Sequence, residues 1–136
     1  MLALIKTLNG QQNYFDITET FFKEQAFTFL NIIGTYRSFI EVLGQELNIE
    51  TPTNQGIFKA LDIFIEEHKA NNTTLIIIVD EFGKHLEYAA KNKPELELYF
   101  IQQLAEYITD KPIILLTTLH QNFASYARHL NEQQQN

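Results

Sequence analysis

A chain of 136 residues with 45% hydrophobic side chains and no cysteine suffices for one packed core and excludes both a disulfide framework and a thiolate metal site. Ten basic against seventeen acidic residues leave a formal charge of -7, which excludes a basic footprint for unaided contact with nucleic acid or an anionic membrane. No apolar stretch nears the roughly 18 residues that span a bilayer, and Met1 to Lys6 carries no basic leader or cleavage site, so a cytoplasmic protein is expected.

At the start of the chain, Leu2 to Leu8 reads as a short strand or a helical turn, Asn9-Gly10 as a turn, and Tyr14 to Ile17 as an arm that pairs back. Thr18 or Thr20 caps a short helix through Gln25. The aromatic and β-branched run Phe27 to Ile33 predicts a strand ending at Gly34. One long helix from Thr18 to Leu47 is the competing reading, because Phe39, Ile40, Leu43 and Leu47 keep helical spacing. If Gly34 is a strand-to-helix turn, Gly34, Thr35, Tyr36, Arg37 and Ser38 lie where a phosphate-binding loop would lie. That loop needs GxxxxGK[ST], with glycines that let backbone N–H groups surround the phosphates, a lysine, and a hydroxyl for Mg²⁺. Here only Gly34 and Ser38 remain, with no lysine between them, and Arg37 stands nearby. A Gly-capped turn with an exposed arginine fits the same residues.

Thr51 to Gly56 breaks the chain as a loop. Ile57, Phe58, Leu61, Phe64, Ile65 and His68 then share one helical stripe, and His68 is placed to interact with the C-terminal end of that helix. Thr74 to Val79 is an unbroken apolar, β-branched run that ends in Asp80 and Glu81. Such a run reads as a strand buried on both faces, with two carboxylates at its carboxyl end, the edge where open α/β sheets bind ligands. A core strand followed by two solvated acids fits the same pattern. Lys84 is placed to approach a phosphate or to pair with Glu81 or Glu87. Pro94 and Glu95 open a helix whose stripe is Leu96, Phe100, Leu104 and Ile108, through Thr109. Pro112 to Leu116 forms a third apolar run, ending in Thr117, Thr118, Leu119 and His120. Phe123, Tyr126, Ala127 and Leu130 spell a last short helix before an Asn/Gln-rich tail.

The expected fold is therefore α/β: a small parallel sheet, with strands near 27–33, 74–80 and 112–118, flanked by helices in one domain over 1–136 whose tail, 131–136, is frayed. That arrangement brings Asp80, Glu81, Thr117, Thr118 and His120 to one crevice. There the threonine hydroxyls can hydrogen-bond a water or a phosphate oxygen, and His120 can donate a proton. Threonines at a strand end also have a plain explanation in β-propensity and turn formation.

The stretch from Leu75 to Leu130, with its blocks DEFGK-LEYA and TTLHQ-F--YA, resembles the Walker B to sensor-1 segment of large bacterial P-loop ATPases related to AAA+ and STAND proteins, some of them linked to phage defence. The resemblance implies Asp80 as the Mg²⁺ acid, Glu81 as catalytic base, Thr117 or Thr118 as sensor, and Mg²⁺ and ATP as cofactors. It also likens FLNIIGTY to the first strand and the opening of the Walker A loop. The chain departs from the pattern in lacking the Walker A lysine, in the short interval between the first strand and Asp80, and in stopping before a lid subdomain or arginine finger. The expectation is a degenerate or truncated ATPase core with weak or no ATP binding and hydrolysis on its own. The alternatives are an interaction module that self-associates or pairs with a larger ATPase relative, and an unrelated α/β or helical protein.

Overall fold

The fold is that of a computed structural model and is described for residues 26–120; the hairpin arm, the helix through Gln25, the Phe123–Leu130 stripe and the tail lie outside these residues. β1 (Ala26–Ile33), β2 (Thr73–Asp80) and β3 (Ile113–Thr117) form a parallel sheet in the order β1-β2-β3. Ala26 to Ile33 pairs residue by residue with Thr73 to Asp80, which rules out a continuous helix from Thr18 to Leu47. The crossover from β1 to β2 carries α1 (Phe39–Glu46) and α2 (Asn54–His68), and that from β2 to β3 carries α3 (Gly83–Lys91) and α4 (Pro94–Tyr107).

β2 is flanked on both sides by hydrogen-bonded neighbours, and this central place is what its uninterrupted apolar run requires. The register puts Leu30, Ile77 and Leu115 on one row and Ile32, Val79 and Thr117 on the next, all on one face of the sheet. Phe39, Leu43, Ile57, Leu61, Phe100 and Leu104, from α1, α2 and α4, are fully buried in the same core as Leu75, Ile77 and Val79. Each such side chain contributes about 1.5–3 kcal/mol over its exposed state. Both crossovers advance across the sheet in the same direction, so right-handed connections bring both helix pairs to that face. The opposite face runs from buried Thr74 and Ile114 to Phe29 and Ile33 on β1, which are 56% and 73% exposed.

Local chemistry sets the helix ends. Ser38 and Thr53 cap α1 and α2, accepting from the N–H groups of Glu41 (3.3 Å) and Gly56 (3.0 Å). At the end of α2, His68 Nδ1 donates to the Phe64 carbonyl at 2.9 Å and its ring stacks on Phe64, so it satisfies a terminal carbonyl as its position suggests. Gly83–Lys91 is helical without a capping side chain, and Glu81 turns the chain with a positive φ of 57° just before it. One feature differs from the sequence reading. In α4 the buried stripe runs through Glu97, Phe100 and Leu104, whereas Leu96 is 45% exposed. Positions 96 and 97 both keep helical spacing with Phe100 and Leu104, and packing against Ser38 chose the carboxylate.

Candidate functional site at the strand ends

The carboxyl ends of all three strands meet at one rim. Ile33 pairs with Asp80 and Val79 with Thr117, and the ladder continues past the strands. Gly34 N–H donates to the Asp80 carbonyl at 2.6 Å, Thr118 N–H to Val79 at 3.1 Å, and Phe82 N–H to Thr118 at 2.9 Å. A β-carbon on Gly34 would lie 2.0 Å from the Glu81 carbonyl oxygen, so only glycine allows the β1–α1 turn to run against the end of β2.

The side chains at this rim form one hydrogen-bonded group. Thr118 Oγ1 accepts from the Glu81 N–H at 2.9 Å and donates to Asp80 Oδ1 at 2.5 Å, tying the end of β3 to the turn after β2. A non-glycine residue in the left-handed region is uncommon, and this bond helps hold Glu81 there. The Glu81 carboxylate accepts from His120 Nε2 at 3.1 Å and from Lys84 Nζ at 3.1 Å. The hydrogen bond from His120, followed by that from Lys84 and its charge, holds the Glu81 carboxyl below the usual carboxylate range. Both partners favour the ionised form. Thr117 differs from Thr118: its backbone pairs with Val79, and its hydroxyl has no partner among the described residues.

The β1–α1 turn sends its other side chains elsewhere. Arg37 extends along α1 to Gln45 (3.2 Å) and Glu41 (3.8 Å), while its carbonyl accepts from His85 Nδ1 at 2.8 Å. Tyr36 sets its ring edge-on to Tyr88, at 5.3 Å between centroids, and accepts from Asn92 at 3.4 Å; Thr35 closes a tight turn by accepting from Arg37 N–H. Ser38 is 5% exposed, and its hydroxyl donates to Glu97 Oε1 at 2.5 Å while accepting from Glu41 N–H. Glu97, also 5% exposed, thus places a carboxylate of this chain beside the N-terminus of α1. Of the residues that the sequence reading placed in one crevice, Gly34, Asp80, Glu81, Thr118 and His120 lie at one rim, Thr117 joins it through its backbone, and Arg37 and Ser38 turn to Gln45, Glu41 and Glu97; that reading did not include Glu97 or His85. The only signal for Glu97 was its position, three residues before Phe100, on the buried stripe.

These residues do not fit Mg-ATP held in the manner of a P-loop. The hydroxyl expected on the metal, that of Ser38, is buried against Glu97. A phosphate at the α1 N-terminus would meet the carboxylate of Glu97, whose charge opposes it. The chain matches no protein-family model, no curated protein and no solved structure at a significant level.

Proposed function

We propose that this chain is a degenerate P-loop ATPase core that neither holds nor hydrolyses ATP on its own, and that it works in the cytoplasm beside a second copy or a larger ATPase relative. The lineage is supported by three parallel strands whose carboxyl ends gather Gly34, Asp80, Glu81 and Thr118 at one rim. The loss of nucleotide chemistry is supported above all by one observation: the N-terminus of α1 is capped by Ser38 and faced by the buried carboxylate of Glu97. Around it, Asp80 accepts from Thr118, and Glu81 is engaged by Lys84 and His120, so both acids serve the fold of the rim.

The test is hydrolysis of Mg-ATP by the purified full chain next to its Asp80→Asn variant, together with calorimetric titration of ATP in the presence of Mg²⁺. Equal background rates and no heat of binding are expected. Turnover that depends on Asp80 would overturn the reading. A second reading, an interaction module without nucleotide chemistry, is favoured by Phe29 and Ile33, two large apolar side chains exposed together on the outer strand β1.

A further inference from the structure

We infer that the cleft beside the N-terminus of α1 is a cation site, which takes a primary ammonium or guanidinium group on a short apolar stem and anchors it on Glu97. The inference goes beyond the nucleotide lineage and stands independently of it. The cleft holds about 370 Å³ between α1, the α3–α4 turn and α4, with Ser38 and Glu97 at its polar side, Ile40 and Leu96 as apolar walls, and Glu41 and Lys93 also lining it.

Glu97 carries the argument. It is nine-tenths buried, and only one of its oxygens is used, by the Ser38 hydroxyl. The other has no partner among the described residues, and Glu97 is one of the residues that line the cleft. No ion pair among the described residues involves Glu97; Lys93 shares the cleft without forming one. A carboxylate withdrawn from water needs a countercharge or a full set of donors, and one hydroxyl with a short helix end is less than that. A ligand cation completes the set. Ile40 and Leu96 suit an alkyl stem behind the charge, as in the side chains of lysine and arginine.

The test is a titration of the full-length ¹⁵N-labelled chain with n-butylammonium, using n-butanol and n-butyrate as neutral and anionic controls. Saturable shifts at Ser38, Asn92, Lys93 and Glu97 are expected with the amine and with neither control. Glu97→Gln should weaken the amine by about tenfold or more, since it removes the charge and keeps the shape. Because that variant changes a buried group, Leu96→Lys provides an independent check at an exposed position: it sets a positive charge at the cleft wall and should weaken the amine by about fivefold. Unsaturable shifts spread over the acidic surface, unchanged affinity in folded Glu97→Gln, or butyrate binding at the same residues would each overturn the inference. A folding failure of Glu97→Gln leaves Leu96→Lys to decide, and unchanged affinity in that variant overturns the inference as well.

Discussion

Replacing Gly34 by alanine tests the geometry on which the rim depends. The added β-carbon would lie 2.0 Å from the Glu81 carbonyl oxygen, 2.7 Å from the Glu81 carbonyl carbon and 2.9 Å from the Asp80 carbonyl oxygen. All three are backbone atoms in or beside the central strand, so no side chain can rotate away to relieve the contact. Overpacking of this kind costs about 1–3 kcal/mol, and the displaced turn would also weaken the 2.6 Å bond from Gly34 N–H to Asp80, worth about 1 kcal/mol. The sum, about 2–4 kcal/mol, is a large share of the 5–15 kcal/mol typical of a domain. It should lower the urea midpoint by about 1–2 M at unchanged slope, and Tm by roughly 10 °C, followed by circular dichroism. Gly56→Ala is the internal control. There the β-carbon meets only the Thr53 hydroxyl, at 3.0 Å, and alanine in a helix gains up to about 1 kcal/mol, so a neutral or slightly stabilising result is expected. A Gly34→Ala chain within about 0.5 kcal/mol of the parent would show that the β1–α1 turn does not run against the end of β2.

Thr118→Val removes the hydroxyl that serves both Asp80 and the Glu81 N–H, and should lower stability by about 1 kcal/mol, the lower end of the range because the rim is exposed; an unchanged midpoint would remove Thr118 from the network. Burial pushes the His85 imidazole below its ordinary value of 6.5, its bond to the Arg37 carbonyl opposes that shift, and the charge of Arg37 adds to it. Because the folded value lies below the unfolded one, the unfolded chain binds more protons in between; stability is complete above about pH 6.5 and falls as the pH drops toward the folded value. Urea midpoints at pH 7.5 and 5.5 should therefore differ, and His85→Gln should reduce that difference; an equal difference in both chains would place the titration elsewhere. If the chain self-associates through the outer strand, light scattering will show a mass that rises with concentration and returns to that of a monomer in Phe29→Lys and Ile33→Lys. A mass that both substitutions leave unchanged would remove this face from the interaction surface.

The buried pair of Ser38 and Glu97 completes a glycine turn with its arginine outside, the reading that fitted these residues beside that of a phosphate loop. Gly34 and Ser38 were the residues that pointed to phosphate, and both are present in the right order. One is used to bring the turn against β2, and the other to hold a carboxylate where an anion would have to sit. The same short α1 is therefore capped from within the chain.

β2 was legible in the chain because a strand buried on both faces writes itself as a continuous apolar run, Thr74 to Val79, whereas β1, open on one face at Phe29 and Ile33, was legible only from its aromatic and β-branched residues. Polar residues follow each run, so the gathering of Gly34, Asp80, Glu81, Thr118 and His120 at one rim follows once the strands are parallel. Tertiary structure alone decided which threonine serves Asp80, since neighbouring residues at a strand end differ in direction and the register selects between them. It alone decided that Glu97 rather than Leu96 turns inward, because its partner Ser38 lies 59 residues away in the chain. Periodicity is a local property, whereas the pairing of a buried polar group is set by whichever distant element packs against it.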